Sequence, residues 1–267
     1  MAVGSGLSEL ALGLVPARNR QRQDGMNGTL ETGTGKAGGD GSADATRLAL
    51  VEAALDRFGA KGYDAASTRE IAAAAGANIA SIAYHFGGKE GLRRACAEHV
   101  AGFIGSVARA AFGEDFDSIE KHAAALPPGI ARVELEQGMA RFLRFLLLQP
   151  QTALIVRFLL REITHPSATL DIIYTGVFLP VHRRLCALWG AATARDAGSQ
   201  EVRLAVFAMI GQATYFRIAQ EIVQRRMDWP SIGPQEVDRI SEILIANLRD
   251  SLDRHARDGR EQGSAGR

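Results

Sequence analysis

The chain has 267 residues, is 46% hydrophobic and 23% charged, and carries a formal net charge of +1. These values suit a globular protein of one or two domains that can bury a core. They exclude a polybasic binder acting through global charge, so any nucleic-acid contact has to come from locally placed groups. No apolar run reaches the ~18 residues that a membrane span needs, and the weak apolar patch near the start has no basic segment before it, which makes a poor signal peptide.

Residues 1–43 are rich in Gly, Ser, Thr and Asn, without periodicity, and predict a disordered tail. Its four basic residues (Arg18, Arg20, Arg22, Lys36) face four acidic ones (Glu9, Asp24, Glu31, Asp40), so it is no basic arm. Met26 lies inside it, and translation starting at Met1 or at Met26 fits the sequence equally.

From Asp44 onward nearly everything predicts helix. Leu48, Val51, Ala54, Leu55 and Phe58 follow amphipathic spacing, and Gly62 closes that helix. Short segments follow over 68–75 and 78–86, broken at Gly76, and then a longer helix over about 89–111. A polar, acidic loop leads to Pro127-Pro128. Longer patterns cover 129–148 and 151–164, closed by Pro150 and His165-Pro166. A helix over about 168–191 carries Pro180 as a kink or break. Helices over about 199–227 and 235–255 complete the chain before a polar tail. No segment has strand period. The expected fold is all-α, with about nine helices: a disordered tail (1–43), a three-helix head (44–104), a larger bundle (105–257) and a second tail (258–267).

The head holds the densest stretch, "STREIAAAAGANIASIAYHFGGKEGL", Ser67 to Leu92. Ser67 and Glu70 have capping-box spacing, and Gly76 allows a tight turn. Two short helices joined by a Gly-containing turn form a helix-turn-helix unit. On the second helix, Ile82 and Phe86 share the packing face. Ala80, Ser81, Tyr84 and His85 point away, with Ile79 and Ala83 at the edges. Small residues can approach a major groove closely, and Ile79, Ala80 or Ala83 can touch a thymine methyl. Lys89 beside Gly87-Gly88 suits an anion.

These residues, with "ALDRFGAKGYDAAST" before them, resemble the DNA-binding domain of TetR-type transcriptional regulators over about Ala45 to His99. The set from Gly62-Tyr63 through Ile71-Ala72, Gly76 and Tyr84-His85-Phe86 to Lys89 carries the resemblance. The resemblance implies that Ser67, Thr68 and Arg69 meet the DNA backbone. Ile79, Ala80, Ser81 and Ala83 would face base edges, Tyr84, His85 and Lys89 would contact phosphate, and Asn78, at the start of the second helix, is a further DNA-binding candidate. Arg47 is a weaker backbone candidate. Ala83 stands where an aromatic is common, so methyl contacts and DNA shape are expected to outweigh hydrogen-bond readout. Asp44 to Val100 holds seven basic and seven acidic residues, and a neutral head implies modest, salt-sensitive non-specific affinity.

The larger bundle has no GxSxG, P-loop, HExxH or GxGxxG signature. Cys96 and Cys186 fit two small buried apolar groups, without a CxxC or Cys/His cluster to support a redox pair or metal site. His122, His165 and His182 are scattered, and "LPVHRRL" suits a solvated face. No catalytic residue, cofactor or metal is expected, and no enzyme. In TetR-like proteins the bundle encloses an effector pocket, for which Phe142, Tyr174 and Phe178 are the candidates. The last two long helices carry apolar residues (Val202, Ala205, Val206, Met209, Ala213, Phe216; Ile240, Ile243, Leu244, Asn247, Leu248) that suggest an additional packing face. The resemblance implies that such helices form a homodimer. "NIASIAYHFGGKEGL" and the long bundle resemble the CecR-like branch. The expectation is a cytoplasmic, nucleoid-associated, homodimeric repressor that binds a near-palindromic double-stranded DNA operator and is released by a small-molecule effector.

Overall fold

The computed structural model describes residues 39–112 and 125–265. The tail over 1–38 with Met26, most of the acidic loop with His122, and the last two residues lie outside the described residues. Among the described residues there is no strand. The described residues form eleven α-helical segments and one π-helical turn.

The head comprises α1 (Gly39–Lys61), α2 (Thr68–Ala74) and α3 (Ala80–Phe86), with α4 (Lys89–Phe112) leading out of it. The helix α1 begins five residues before Asp44. Its inward face also differs from expectation. Leu50 is fully buried, whereas Leu48 is 39% exposed. Val51, Ala54, Leu55 and Phe58 pack as expected, so the stripe enters the core through Leu50 instead of Leu48.

The body contains α5 (Pro128–Leu148), α6 (Thr152–Thr164), α7 (Ala168–Ile173), a π turn (Tyr174–Phe178), α8 (Leu179–Thr193), α9 (Gln200–Ile218), α10 (Gln220–Met227) and α11 (Pro234–Ala265). The count exceeds nine because two expected helices are divided. Before Pro180, which cannot donate a ladder hydrogen bond, the backbone widens to a π turn in which Leu179 N–H donates to Tyr174 C=O. The helix expected over 199–227 breaks at Ala219 (φ −100°, ψ 24°), where no Gly or Pro signals it. The final helix runs to Ala265 instead of stopping near 255, across residues expected to form a tail. Arg, Glu, Gln and Ala in "RHARDGREQGSA" are good helix formers and carry it past two glycines.

Two apolar cores organise the chain. One joins α5, α8, α9 and α11 around Leu135, Leu143, Leu188, Trp189, Val206 and Leu244. The other fills the head and extends into the body, since Ile155 and Phe158 of α6, Ile173 of α7 and Val177 pack with Phe58, Ile71, Ile82 and Leu92. The helix α6 lies against α1. Arg161 Nη2 donates to the Ala60 carbonyl (3.4 Å), and a Cβ at Gly59 would sit 3.2 Å from Arg157 Cβ and from the Phe158 nitrogen.

Several residues expected to form an additional face serve the chain's own core: Val202, Val206, Met209, Ala213, Ile240, Leu244 and Leu248 are buried. The outward stripe lies on another side of α9 and α10, where Leu204, Phe207, Gly211, Tyr215, Ile218 and Ile222 recur at three- and four-residue spacing and stay exposed, with Ile243 exposed on α11. Cys96 and Cys186 are buried free thiols in separate cores. Desolvation pushes the Cys186 thiol up to about 11. Arg184, expected on a solvated face, is buried, and His182 stacks on Phe207 with ring centroids 4.1 Å apart.

Candidate nucleic-acid interface

Ser67 is the N-cap of α2. Glu70 N–H donates to Ser67 Oγ (3.2 Å), and Ser67 N–H donates to Glu70 Oε2 (3.3 Å), which completes the capping box. Lys61 Nζ donates to Glu70 Oε1 at 2.8 Å. That contact, and then the Ser67 amide, hold the Glu70 carboxyl below its ordinary range. Thr68 is half-buried and Arg69 exposed, beside this capped end. The turn to α3 passes through Gly76 at φ +65°.

The helix α3 starts at Ala80, later than expected. Asn78 stands two residues ahead of it, its Oδ1 accepting from Ala80 N–H at 2.9 Å, and Ile79 is the N-cap, without a side-chain cap hydrogen bond. An amide side chain competes well for a backbone donor just outside a helix, so Asn78 ends the turn and does not extend the helix. Ile82 anchors α3 in the core. Ile79, Ala80, Ala83 and Tyr84 are exposed on the outer side, Tyr84 at 83%, with Ser81 and His85 half-buried beside them. Tyr84 and His85 meet edge to face at 4.9 Å. Arg47 of α1 is brought to the end of α3, with its guanidinium 5.5 Å from the Phe86 ring centre.

Lys89 opens α4. Its Nζ lies 4.4 Å from the Tyr63 ring centre and donates to the Asp64 carbonyl at 3.4 Å. Arg93, one helical turn on, lies 4.7 Å from the same ring. Cations over an aromatic face are attracted by its quadrupole. Burial, and next the hydrogen bond with Glu90, push the Tyr63 phenol up, so it stays neutral.

Sequence reasoning missed the partner of Arg93. Glu162 of α6 accepts from Arg93 Nε and Nη2, both at 2.9 Å, in a two-pronged pair. The Glu162 side chain is 3% exposed. Ser167 Oγ (2.9 Å) and Thr169 Oγ1 (2.8 Å) also donate to it. Lys89, Tyr63, Arg93 and Glu162 therefore form a continuous polar chain from the head to the α6–α7 corner. Sixty-nine residues separate Arg93 from Glu162, and no local pattern reveals the pair. Gly91 was also passed over. A Cβ there would lie 1.8 Å from the Phe86 carbonyl oxygen, so only glycine fits where α4 leaves α3.

The three candidate effector residues are not gathered in one core. Phe142 packs on the body core and Phe178 on the head core, while Tyr174 is half exposed. The two cores meet at Val181, which packs against both.

Among the described residues no single helix is long and apolar enough to cross a membrane. No group of three or more His, Cys, Asp or Glu side chains among them could hold a metal ion.

Residues 50–96 match the family described as "Bacterial regulatory proteins, tetR family", and residues 131–253 match "HTH-type transcriptional dual regulator CecR, C-terminal domain". The HTH-type transcriptional dual regulator CecR of Shigella flexneri is 34% identical over 200 residues, covering 74% of this chain and 87% of the relative. The HTH-type transcriptional regulatory protein RaaS of Mycobacterium tuberculosis is 48% identical over 71 residues, 26% of this chain and 33% of that protein. The same fold occurs in a TetR-like transcriptional regulator from Rhodococcus sp. RHA1 (TM-score 0.53, 19% identity, 78% of this chain and 96% of that one). It also occurs in a transcriptional regulator from Pseudomonas aeruginosa PAO1 (TM-score 0.53, 19% identity, 79% and 92%). The capped α2, the outward face of α3 and the two matched regions lead to one conclusion: the chain belongs to the TetR family of transcriptional regulators, on the branch with a CecR-type C-terminal domain.

Proposed function

We propose that the protein is a homodimeric, ligand-responsive repressor that binds a near-palindromic operator. The observation that carries this reading is the outer side of α3. Ile79, Ala80, Ala83 and Tyr84 are exposed there, beside a capped helix end and Lys89. Small side chains let such a helix enter the major groove, and Tyr84, His85, Lys89 and Arg47 would flank it against phosphates, with Ser67, Thr68 and Arg69 on the neighbouring backbone. Ser81 and Asn78 are the polar groups nearest the bases.

The dimer rests on the exposed stripe from Leu204 to Ile222. A helix apolar on opposite sides is expected to be buried on both, and a second copy related by two-fold symmetry would cover the outer side. Two heads would then meet half-sites about 34–36 Å apart. The division between a DNA-binding head and an effector and dimerisation body near residue 104 belongs to the same reading.

Ligand response would act through α6, which supports α1 at Gly59 and holds α4 through Glu162. An effector near Val181, between Phe142 and Phe178 and reached past Tyr174, would bias the head between two positions. A coupling of ~1–3 kcal/mol changes operator affinity roughly 5- to 150-fold. The relative from Shigella flexneri is named a dual regulator, which favours activation at some promoters as a second reading. A reporter behind each bound promoter, with the gene deleted, separates the two by the sign of the change.

A gel-shift with the protein's upstream DNA tests the reading. Tyr84→Ala with Lys89→Ala is expected to lower affinity at least about tenfold, since hydrogen bonds to charged groups contribute about 1.5–3 kcal/mol. Unchanged binding by a folded double variant would sink the assignment.

A further inference from the structure

The helix α6 presents one side to the head and another to the end of α9. On that second side Ala153, Val156 and Leu160, spaced at i, i+3 and i+7, line an open cleft of about 220 Å³, with Ile218 also on its wall. Arg157 of α6 and Arg217 of α9 line the same cleft. Arg217 is half-buried, and its polar contact is with Gln220 at the start of α10 (Nη1–Oε1 2.8 Å). Among the described residues no carboxylate pairs with Arg217. Burial, and next the charge of Arg157, work against its protonated form. Arg157 is 3.8 Å from Asp56 on α1, a loose contact that Asp56 shares with Arg57 at 4.0 Å. The cleft therefore holds two guanidinium groups beside an apolar wall, and one of them has no carboxylate partner among the described residues.

From this geometry we infer that the cleft binds a small organic anion, a carboxylate with a short apolar tail. The carboxylate bridges Arg157 and Arg217, because a planar guanidinium matches a carboxylate two-pronged. The tail covers Ala153, Val156 and Leu160. The volume lies below the ~300 Å³ at which drug-sized sites begin, so the ligand is small. Binding draws Arg157 away from Asp56, and Arg57 remains to pair that carboxylate. The Arg157 Cβ also packs at Gly59 of α1, so the same event changes the footing of the head. This regulatory consequence rests on the ligand-responsive reading above, whereas the binding site itself does not.

Isothermal titration of the full chain with hexanoate, hexanol and sulfate tests the site. Hexanoate is expected to bind saturably, and hexanol and sulfate at least about tenfold more weakly, because each lacks one half of the recognition. Arg217→Gln and Arg157→Gln should each lower hexanoate affinity by a similar factor, with Arg217→Lys recovering part of it. Circular dichroism and sedimentation verify that the variants keep fold and mass. Equal binding by the wild type and Arg217→Gln, or no saturable binding of hexanoate, overturns the site. A folded Arg217→Gln that becomes monomeric also overturns it, by assigning the arginine to a subunit contact. Operator affinity measured with hexanoate separates the two readings. Binding without any change in DNA affinity upholds the site and removes its regulatory role. DNA release by another compound, with no saturable binding of hexanoate, overturns the site and leaves the repressor reading standing.

Discussion

Ser67 and Glu70 exchange hydrogen bonds across the first turn of α2, and their spacing alone announced it. Ser67→Ala is expected to cost ~1 kcal/mol, lowering the melting temperature by roughly 2–4 °C. Glu70 adds a pH dependence. Lys61, then the Ser67 amide, depress its folded pKa below the unfolded value. Its contribution is therefore complete above the ordinary carboxylate range and is lost as pH falls through the folded value. Melting curves of the wild type and Glu70→Gln should differ near neutrality and converge once the pH has fallen below the depressed folded value. If the gap persists there, the assignment of the shift to Glu70 is wrong. Gly91 makes the opposite point. Its sequence context showed a glycine in a first turn, but the obstacle is a carbonyl five residues back across a turn, which spacing cannot reveal. Gly91→Ala should destabilise by about 1–3 kcal/mol or more. Gly102→Ala, in open space on the same helix, should stabilise by roughly 0.5–1 kcal/mol. Paired urea denaturation measures both.

At the scale of elements, the helices closed by Pro or Gly were legible and those that break for tertiary reasons were not. Pro150 and His165-Pro166 end α5 and α6 close to where the pattern stops. Nothing in "RIAQEI" marks the break at Ala219. On α9 two apolar stripes run side by side, and periodicity could not tell which one faces the core. The stripe through Val202, Val206, Met209 and Ala213 is the inner one. The candidate reader was legible because its exposed small residues and capped neighbour are local features. Its link to the body was not, because Arg93 and Glu162 meet only in the folded chain. Removing one partner of such a buried pair leaves a charge without compensation. Glu162→Ala should therefore cost ~3–5 kcal/mol, while Arg93→Leu with Glu162→Leu together should cost less than the single change. A double-mutant cycle by denaturant unfolding reads the coupling, and additive costs would show that the pair does not act as a unit.

For the whole molecule, the candidate reading helix is exposed, the head core is continuous with α6 and α7, and an apolar stripe on α9 and α10 stays exposed among the described residues. Leu204→Glu with Phe207→Glu should give a folded monomer in sedimentation at micromolar concentration and weaken operator binding by orders of magnitude, because each half-site alone binds poorly. A wild type that sediments at the 28.6 kDa chain mass would remove the dimer from the account. The most direct measurement of the central claim is a DNase footprint of the wild-type protein on its upstream DNA. The account predicts two protected half-sites about 10–10.5 base pairs apart, centre to centre, or a multiple of that, both erased by Tyr84→Ala with Lys89→Ala. Protection that survives the double variant, or a wild type that leaves no discrete footprint, would contradict it.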